Sequence, residues 1–393
     1  MKKFFQDSGA RVISAITSLI YTILLARSTS SYTLSVYFLC YSISGILVWI
    51  TDFGTVTGMI RAIGMDRINV AKVLFSIKLI VAALIAIFLT ILTMTNIIEM
   101  FSYFLLISTL LDNMTDSLIG FRQVFLTPVE NYVFNIGKKL LSLTIILIFI
   151  SQFDQLQEFS IFISLIIPSF WIMFMDIRRI GFSFQNLNKK IVFSNLGIWL
   201  QGGGTKIASL DNAILSIFGL VELINILNIS RKILSIFTIP TAVLANTTVY
   251  ISATENFNLI RNHYNLVKII LFFSIPFSFF VGLVTPFVLR NIFHINASDS
   301  LLITGSVVLF IAPLGLISSN LNSFLLGRGS IRGISISTYT SSVIYISLIL
   351  IGSLLNHETI FLIVALLANI IIEISILLKI AYELGLPNRI HEN

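Results

Sequence analysis

Apolar runs of about 18 to 25 residues recur along this chain from end to end, separated by short polar breaks. A helix of that length crosses about 30 Å of hydrocarbon. The pattern predicts twelve transmembrane helices at roughly 9–27, 32–56, 72–95, 100–124, 131–151, 156–177, 194–219, 222–250, 265–291, 299–326, 333–355 and 358–383. The breaks leave no stretch long enough for a separate soluble domain. The break "DIRRIGFSFQNLNKK", Asp176 to Lys190, follows six spans and divides the chain almost in half. The expected architecture is an all-α polytopic membrane protein with an N-terminal six-helix bundle over 1–182 and a C-terminal six-helix bundle over 183–393, around a central cavity. The first apolar run, Ile13 to Leu25, lacks a small-residue cleavage site and reads as a retained helix.

Composition agrees: of 393 residues, 56% are hydrophobic and only 11% charged, against about 25% charged in a soluble domain. Cys40 is the only cysteine, so an intrachain disulfide is excluded. His263, His294, His357 and His391 are scattered without a ligand spacing, so no metal or other cofactor is expected.

The net charge of +7 reads first as topology, not as nucleic-acid binding. Sixteen basic residues fall on the side of the termini: Lys2, Lys3, Arg61, Arg67, Lys72, Arg122, Arg178, Arg179, Lys189, Lys190, Arg261, Lys268, Arg328, Arg332, Lys379 and Arg389. Only Arg27 and Arg290 fall opposite. Basic residues favour the cytoplasmic side, so both termini are expected there.

Seven basic residues remain unassigned to loops. Lys78, Lys138 and Lys139 are within about two turns of a cytoplasmic helix end and are expected to snorkel to the interface. Lys206, Arg231 and Lys232 lie deeper. Arg231 and Lys232 belong to a stripe with Asn225, Asn228 and Ser235 at helical spacing, and Arg11 shares one with Ser14, Thr17, Ser18 and Tyr21. A third stripe holds Gln201, Thr205, Ser209 and Asn212, with Lys206 beside it and Asp211 off it. A polar stripe on a membrane helix must face protein or water. Two readings stand: buried pairs that fix helix packing, such as Lys206 or Arg231 with Asp211, or a cationic cavity in which Arg11, Lys206, Arg231 and Lys232 bind an anionic substrate group. Asp52, Asp112, Asp116, Asp211 and Glu373 are the acidic counterparts; each could couple transport to H⁺ or Na⁺, or pair structurally. The triplet Gly202-Gly203-Gly204 suits either an unwound turn or a close helix contact, and Pro240, Pro276, Pro286 and Pro313 mark kinks.

Several short motifs carry a resemblance. Arg27 ends the first span, Tyr32 opens the second, Asp52-Phe53-Gly54 lies near its end, Asp211 sits in the seventh and Pro240 late in the eighth. In these positions and in its layout the chain resembles the O-antigen type of polysaccharide flippase, in the multidrug/oligosaccharidyl-lipid/polysaccharide exporter superfamily. It departs from that pattern in the first external turn, where "RSTSSYT" has no glycine. The resemblance implies a non-enzyme of the bacterial inner membrane that moves an undecaprenyl-diphosphate-linked oligosaccharide from the cytoplasmic to the outer leaflet. A polysaccharide polymerase and a chain-length regulator would be its partners beside the lipid bilayer, and nucleic acid would not. The rival within the superfamily is a multidrug or cation exporter, whose site would be acidic and aromatic. An O-antigen polymerase is a further rival, but it would need large external loops, and the longest connection on that side runs only from about Arg290 to Ser298.

Overall fold

The computed structural model describes residues 2–52, 55, 59, 68–118, 122, 126–152, 158–183, 199, 203, 204, 206–237, 248, 257–328 and 330–383. The described secondary structure is helical, and every expected span contains helix. Among the described residues, eight stretches are long and apolar enough to cross a membrane: Ser31–Asp52, Ile68–Met94, Val133–Gln152, Phe159–Ile180, Val267–Asn291, Asp299–Leu326, Arg332–Leu354 and Glu358–Glu383. The chain is a multi-pass membrane protein. It divides into two compact units, Met1–Leu200 and Gln201–Asn393.

The first unit is built from α1 (Lys2–Ser28), α2 (Ser31–Asp52), α3 (Ile68–Met94), α4 (Met100–Ser117), α5 (Pro128–Gln152) and α6 (Glu158–Ile180). Helix α4 packs between α2 and α6, and α5 packs between α1 and α6. Polar side chains stitch these seams: Tyr21 of α1 hydrogen-bonds Ser164 of α6 at 2.7 Å, and Asn113 of α4 donates to Ser44 Oγ and Tyr41 O of α2 at 2.6 and 3.1 Å. In lipid no water competes for such groups, so protein must satisfy them. At the exposed start of α5, Thr127 caps the helix and Glu130 answers it, with Thr127 N–H donating to Glu130 Oε2 at 3.1 Å. That backbone donor, more than Arg179 at 2.7 Å, holds the Glu130 carboxyl below the usual carboxylate range. Trp199, the penultimate residue of this unit, stacks on Trp49 of α2 with ring centroids 4.8 Å apart. Each indole Nε1 donates to the other's backbone carbonyl, at 3.0 and 2.8 Å.

The second unit contains α7 (Asp211–Ile217), α8 (Val221–Phe237), α9 (Phe257–Asn291), α10 (Asp299–Phe310), α11 (Ala312–Gly327), α12 (Ile331–Leu354) and α13 (Glu358–Glu383). Helices α10 and α11 are one span interrupted at Ile311, where Pro313 follows in the first turn of α11. Pro276 and Pro286 lie within α9, and Pro240 lies outside the described residues. The exposed Phe272, Phe273, Phe279, Phe280 and Phe287 of α9 have the character of a lipid-facing surface. Helices α3, α9 and α12 are followed by left-handed residues, Asn96, His294 and Asn356, with φ of 57°, 55° and 54°. They reverse the chain at three short turns without glycine.

The seventh span departs from expectation, and its glycine triplet follows the second of its two readings. The seventh span is not one continuous helix to residue 219: Ser209 and Leu210 form a turn, Leu210 N–H bonds Ile207 O at 3.0 Å, and α7 starts afresh at Asp211. Of the glycine triplet, Gly203 and Gly204 are helical and buried rather than unwound, and Gly202 lies outside the described residues. A Cβ on Gly204 would come within 2.7 Å of the Thr338 side chain on α12, so this glycine serves close helix packing.

Candidate functional site

Gly219, at φ +70°, turns α7 directly into α8, and Leu220 N–H closes the turn on Leu215 O at 2.9 Å. The result is a short antiparallel helical hairpin. Across it, Asn212 and Asn228 exchange amide hydrogen bonds of 3.2 and 2.9 Å. Beside this pair, one residue before Asn212 and about one turn beyond Asn228, Asp211 meets Arg231. Asp211 and its neighbour Asn212 thus both bond α8, although helical spacing leaves Asp211 off the polar stripe.

The Asp211 carboxylate is fully buried. Its Oδ1 accepts from Asn212 N–H at 2.7 Å, and its Oδ2 accepts from Tyr345 Oη of α12 at 2.8 Å and from Arg231 Nη2. Tyr345 Oη in turn accepts from Arg231 Nη2 at 3.0 Å. All of the guanidinium's bonds among the described residues leave from Nη2, so Nε–H and the two Nη1 hydrogens stay available. The Arg231 side chain is 34% exposed, while Asp211 behind it has no exposure. The pair is therefore one-sided, with the acid sealed in and the fork held open.

Lys206 sits half-buried in the helical turn before the break, and its ammonium has no ion pair or hydrogen bond among the described residues. Lys232 is half-buried beside Arg231 on α8. The Arg11 side chain lies outside the described residues, although its backbone belongs to α1. Thus the structure joins Arg231 to Asp211 and leaves Lys206 without a partner among the described residues. Sequence reasoning missed Tyr345; the polar run Tyr339, Thr340, Ser341 and Ser342 just before it in the eleventh span was the available signal.

The acids of the first unit have a different setting. Lys138 Nζ lies 2.7 Å from Asp112 Oδ1 and 2.6 Å from Asp116 Oδ1, and Lys139 Nζ lies 3.0 Å from Asp116 and 3.5 Å from Asp112. Thr115 Oγ1 accepts from Lys138 at 2.5 Å, and Ser169 of α6 donates to Asp112 at 3.4 Å. Lys78, buried on α3, donates to Asp52 at 2.7 Å, and Thr55 adds a bond of 3.0 Å. Snorkelling is therefore corrected for Lys78 and Lys138: both are buried, because an acid one helix away is a nearer partner than interfacial water. Arg122, counted above as a loop cation, is buried in a bidentate pair with Asp176, at 2.9 and 2.6 Å. Glu373 of α13 stands apart from all of these, since it accepts from Asn322 of α11 at 2.9 Å and has no cationic partner among the described residues.

No protein-family model matches the chain, and no curated protein matches it. Solved structures do. An inward-facing multidrug resistance MATE family transporter of the MOP superfamily shares 14% identity at a TM-score of 0.72, covering 96% of each chain. A MOP superfamily transporter from Pyrococcus furiosus, described as having a binding pocket of reverse polarity that suggests a different function, shares 14% at 0.65 over 99% of this chain and 95% of its own. The Vibrio cholerae MATE transporter VcmN in its bent form shares 17% at 0.57 over 98% and 97%. The chain thus has the helical fold of MOP superfamily transporters.

Proposed function

We propose that this protein is a non-enzymatic transporter that moves an undecaprenyl-diphosphate-linked oligosaccharide across the bacterial inner membrane, with both termini in the cytoplasm. The observation that carries the reading is the charge of the second unit. Inside apolar spans, and among the described residues, Lys206 is unpaired and Arg231 is held by Asp211 and Tyr345 with three N–H donors free. An intramembrane cation costs at least about 2.5–3.5 kcal/mol on insertion scales, so an unpaired one marks a functional site. A guanidinium fork matches a phosphate or carboxylate in shape as well as charge. Arg11 and Lys232 are assigned to the same substrate-binding group from their stripes, and the sixteen-to-two distribution of basic residues supports the orientation.

The second reading is a multidrug exporter, supported by the names of the structural neighbours. Cationic drugs would need open acidic groups; Asp52, Asp112, Asp116 and Asp211 are each engaged by a Lys or Arg, and Glu373 alone among the five acids singled out above has no cationic partner among the described residues. The test pairs Arg231→Ala with Asp211→Asn, so that no buried charge is orphaned. In cells that depend on the protein, the double variant is expected to reach wild-type membrane levels and to leave the surface without polysaccharide. Arg231→Lys should keep part of the activity. Intact surface polysaccharide together with new drug sensitivity would favour the exporter.

A further inference from the structure

Arg122 and Arg231 each hold a buried aspartate, and they hold it differently. Arg122 grips Asp176 at two points, with Nε 2.9 Å from Oδ1 and Nη2 2.6 Å from Oδ2. That parallel fork is the arrangement a guanidinium and a carboxylate favour. Arg231 meets Asp211 through Nη2 and Oδ2 alone. The difference lies in a third group, Tyr345, which donates its hydroxyl to Asp211 Oδ2 at 2.8 Å and accepts the second Nη2 hydrogen at 3.0 Å. The phenol therefore occupies one lone pair of the acid and one hydrogen of the base. Arg231 is pinned by a single nitrogen, and Nε and Nη1 make no bond to the acid. Tyr345 is buried on α12, seven residues past Thr338, so the two share a helix face, the one that Gly204 approaches closely.

We infer that Tyr345 is a positioning residue: it keeps the Arg231 fork from closing on Asp211, so that Nε and Nη1 remain for the phosphate oxygens of the substrate. The phosphate as ligand rests on the function proposed above. Asp211 is the nearest rival for that guanidinium, because a buried carboxylate and a lipid diphosphate offer the same kind of oxygen. Phenylalanine in place of Tyr345 fills the same space but releases both partners. The guanidinium is then free to form with Asp211 the two-point pair that Arg122 forms with Asp176, which withdraws its donors from the ligand. The exposures fit this division of roles: the Arg231 side chain is 34% exposed, whereas the closed pair of Arg122 is sealed at 2%.

The test is a double-mutant cycle on the purified full-length chain in detergent, with affinity for undecaprenyl diphosphate measured in the wild type, Tyr345→Phe, Asp211→Asn and the double variant. Tyr345→Phe is expected to lose about tenfold in affinity, the scale of one hydrogen bond to a charged group, with every charge still in place. In the Asp211→Asn background the same substitution should change affinity by less than about twofold, because no carboxylate remains to capture the fork. An equal loss in both backgrounds is what a merely structural tyrosine gives, and it would overturn the assignment. The arginine-selective reagent phenylglyoxal reads the fork without any ligand. Labelling of Arg231, located by mass spectrometry, should slow about tenfold in Tyr345→Phe and recover in the double variant, while buried Arg122 stays unlabelled throughout. Unchanged labelling of Arg231 in Tyr345→Phe would also overturn the positioning role. If the wild type bound no diphosphate while the labelling followed this pattern, the substrate reading would fall and the role of Tyr345 in holding the fork open would stand.

Discussion

The two units carry similar kinds of charge inside their spans and treat them in opposite ways. In the first, Lys138 and Lys139 are cross-linked to Asp112 and Asp116, Lys78 to Asp52, and Arg122 to Asp176. In the second, among the described residues, Lys206 has no partner, Arg231 offers an open fork in front of a sealed acid, and Glu373 lacks a cation. Balanced, buried pairs fix how helices pack; their removal leaves a charge stranded. Unbalanced groups cost stability in the resting protein, and a ligand of opposite sign can offset that cost. Charge content alone therefore does not mark a binding site in a membrane protein, whereas incomplete pairing does.

The contrast predicts where substitutions hurt folding. The largest effect is expected for Arg122→Ala, which leaves buried Asp176 without its two guanidinium bonds. A loss of about 3–5 kcal/mol, read as a collapse of folded protein in detergent, matches a broken buried pair. Lys138→Met should cost less, about 1–3 kcal/mol, because Lys139 still neutralises part of the acid pair from 3.0 and 3.5 Å. Adding Asp116→Leu to Lys138→Met should recover part of the loss. If Lys138→Met left thermal unfolding unchanged, the first unit's network would not be the packing device described here.

Much of the fold was legible because span length and basic asymmetry are properties of the whole pattern. The ends of the twelfth span, 358–383, are those of α13, and the sequence already paired Arg231 with Asp211 as one of its readings. The Lys138 network was not legible. Distance to a helix end suggested snorkelling, while the deciding fact is that α5 faces α4 where Asp112 and Asp116 point, which only packing reveals. The break at Ser209–Leu210 was hidden for a similar reason. Glycine looked like the weak point, but Gly204 is held helical against Thr338, and the chain interrupts its helix at residues of ordinary propensity instead. Asn322 was unreadable as a partner of Glu373, since the two lie 51 positions apart on different helices.

The central claim is that the unpaired cation of the second unit exists for an anionic ligand, and Lys206→Ala tests it with no partner to orphan. The direct measurement is the affinity of the purified chain for undecaprenyl diphosphate, beside that for a lipophilic cation, with thermal unfolding recorded on the same samples. The account predicts a variant at least as stable as the wild type, because an unbalanced cation costs stability in the resting protein, a loss of roughly tenfold or more in affinity for the diphosphate, and stronger loss at low salt than at high. Unchanged diphosphate affinity in a well-folded Lys206→Ala protein, or a wild type that prefers the cation, would contradict it.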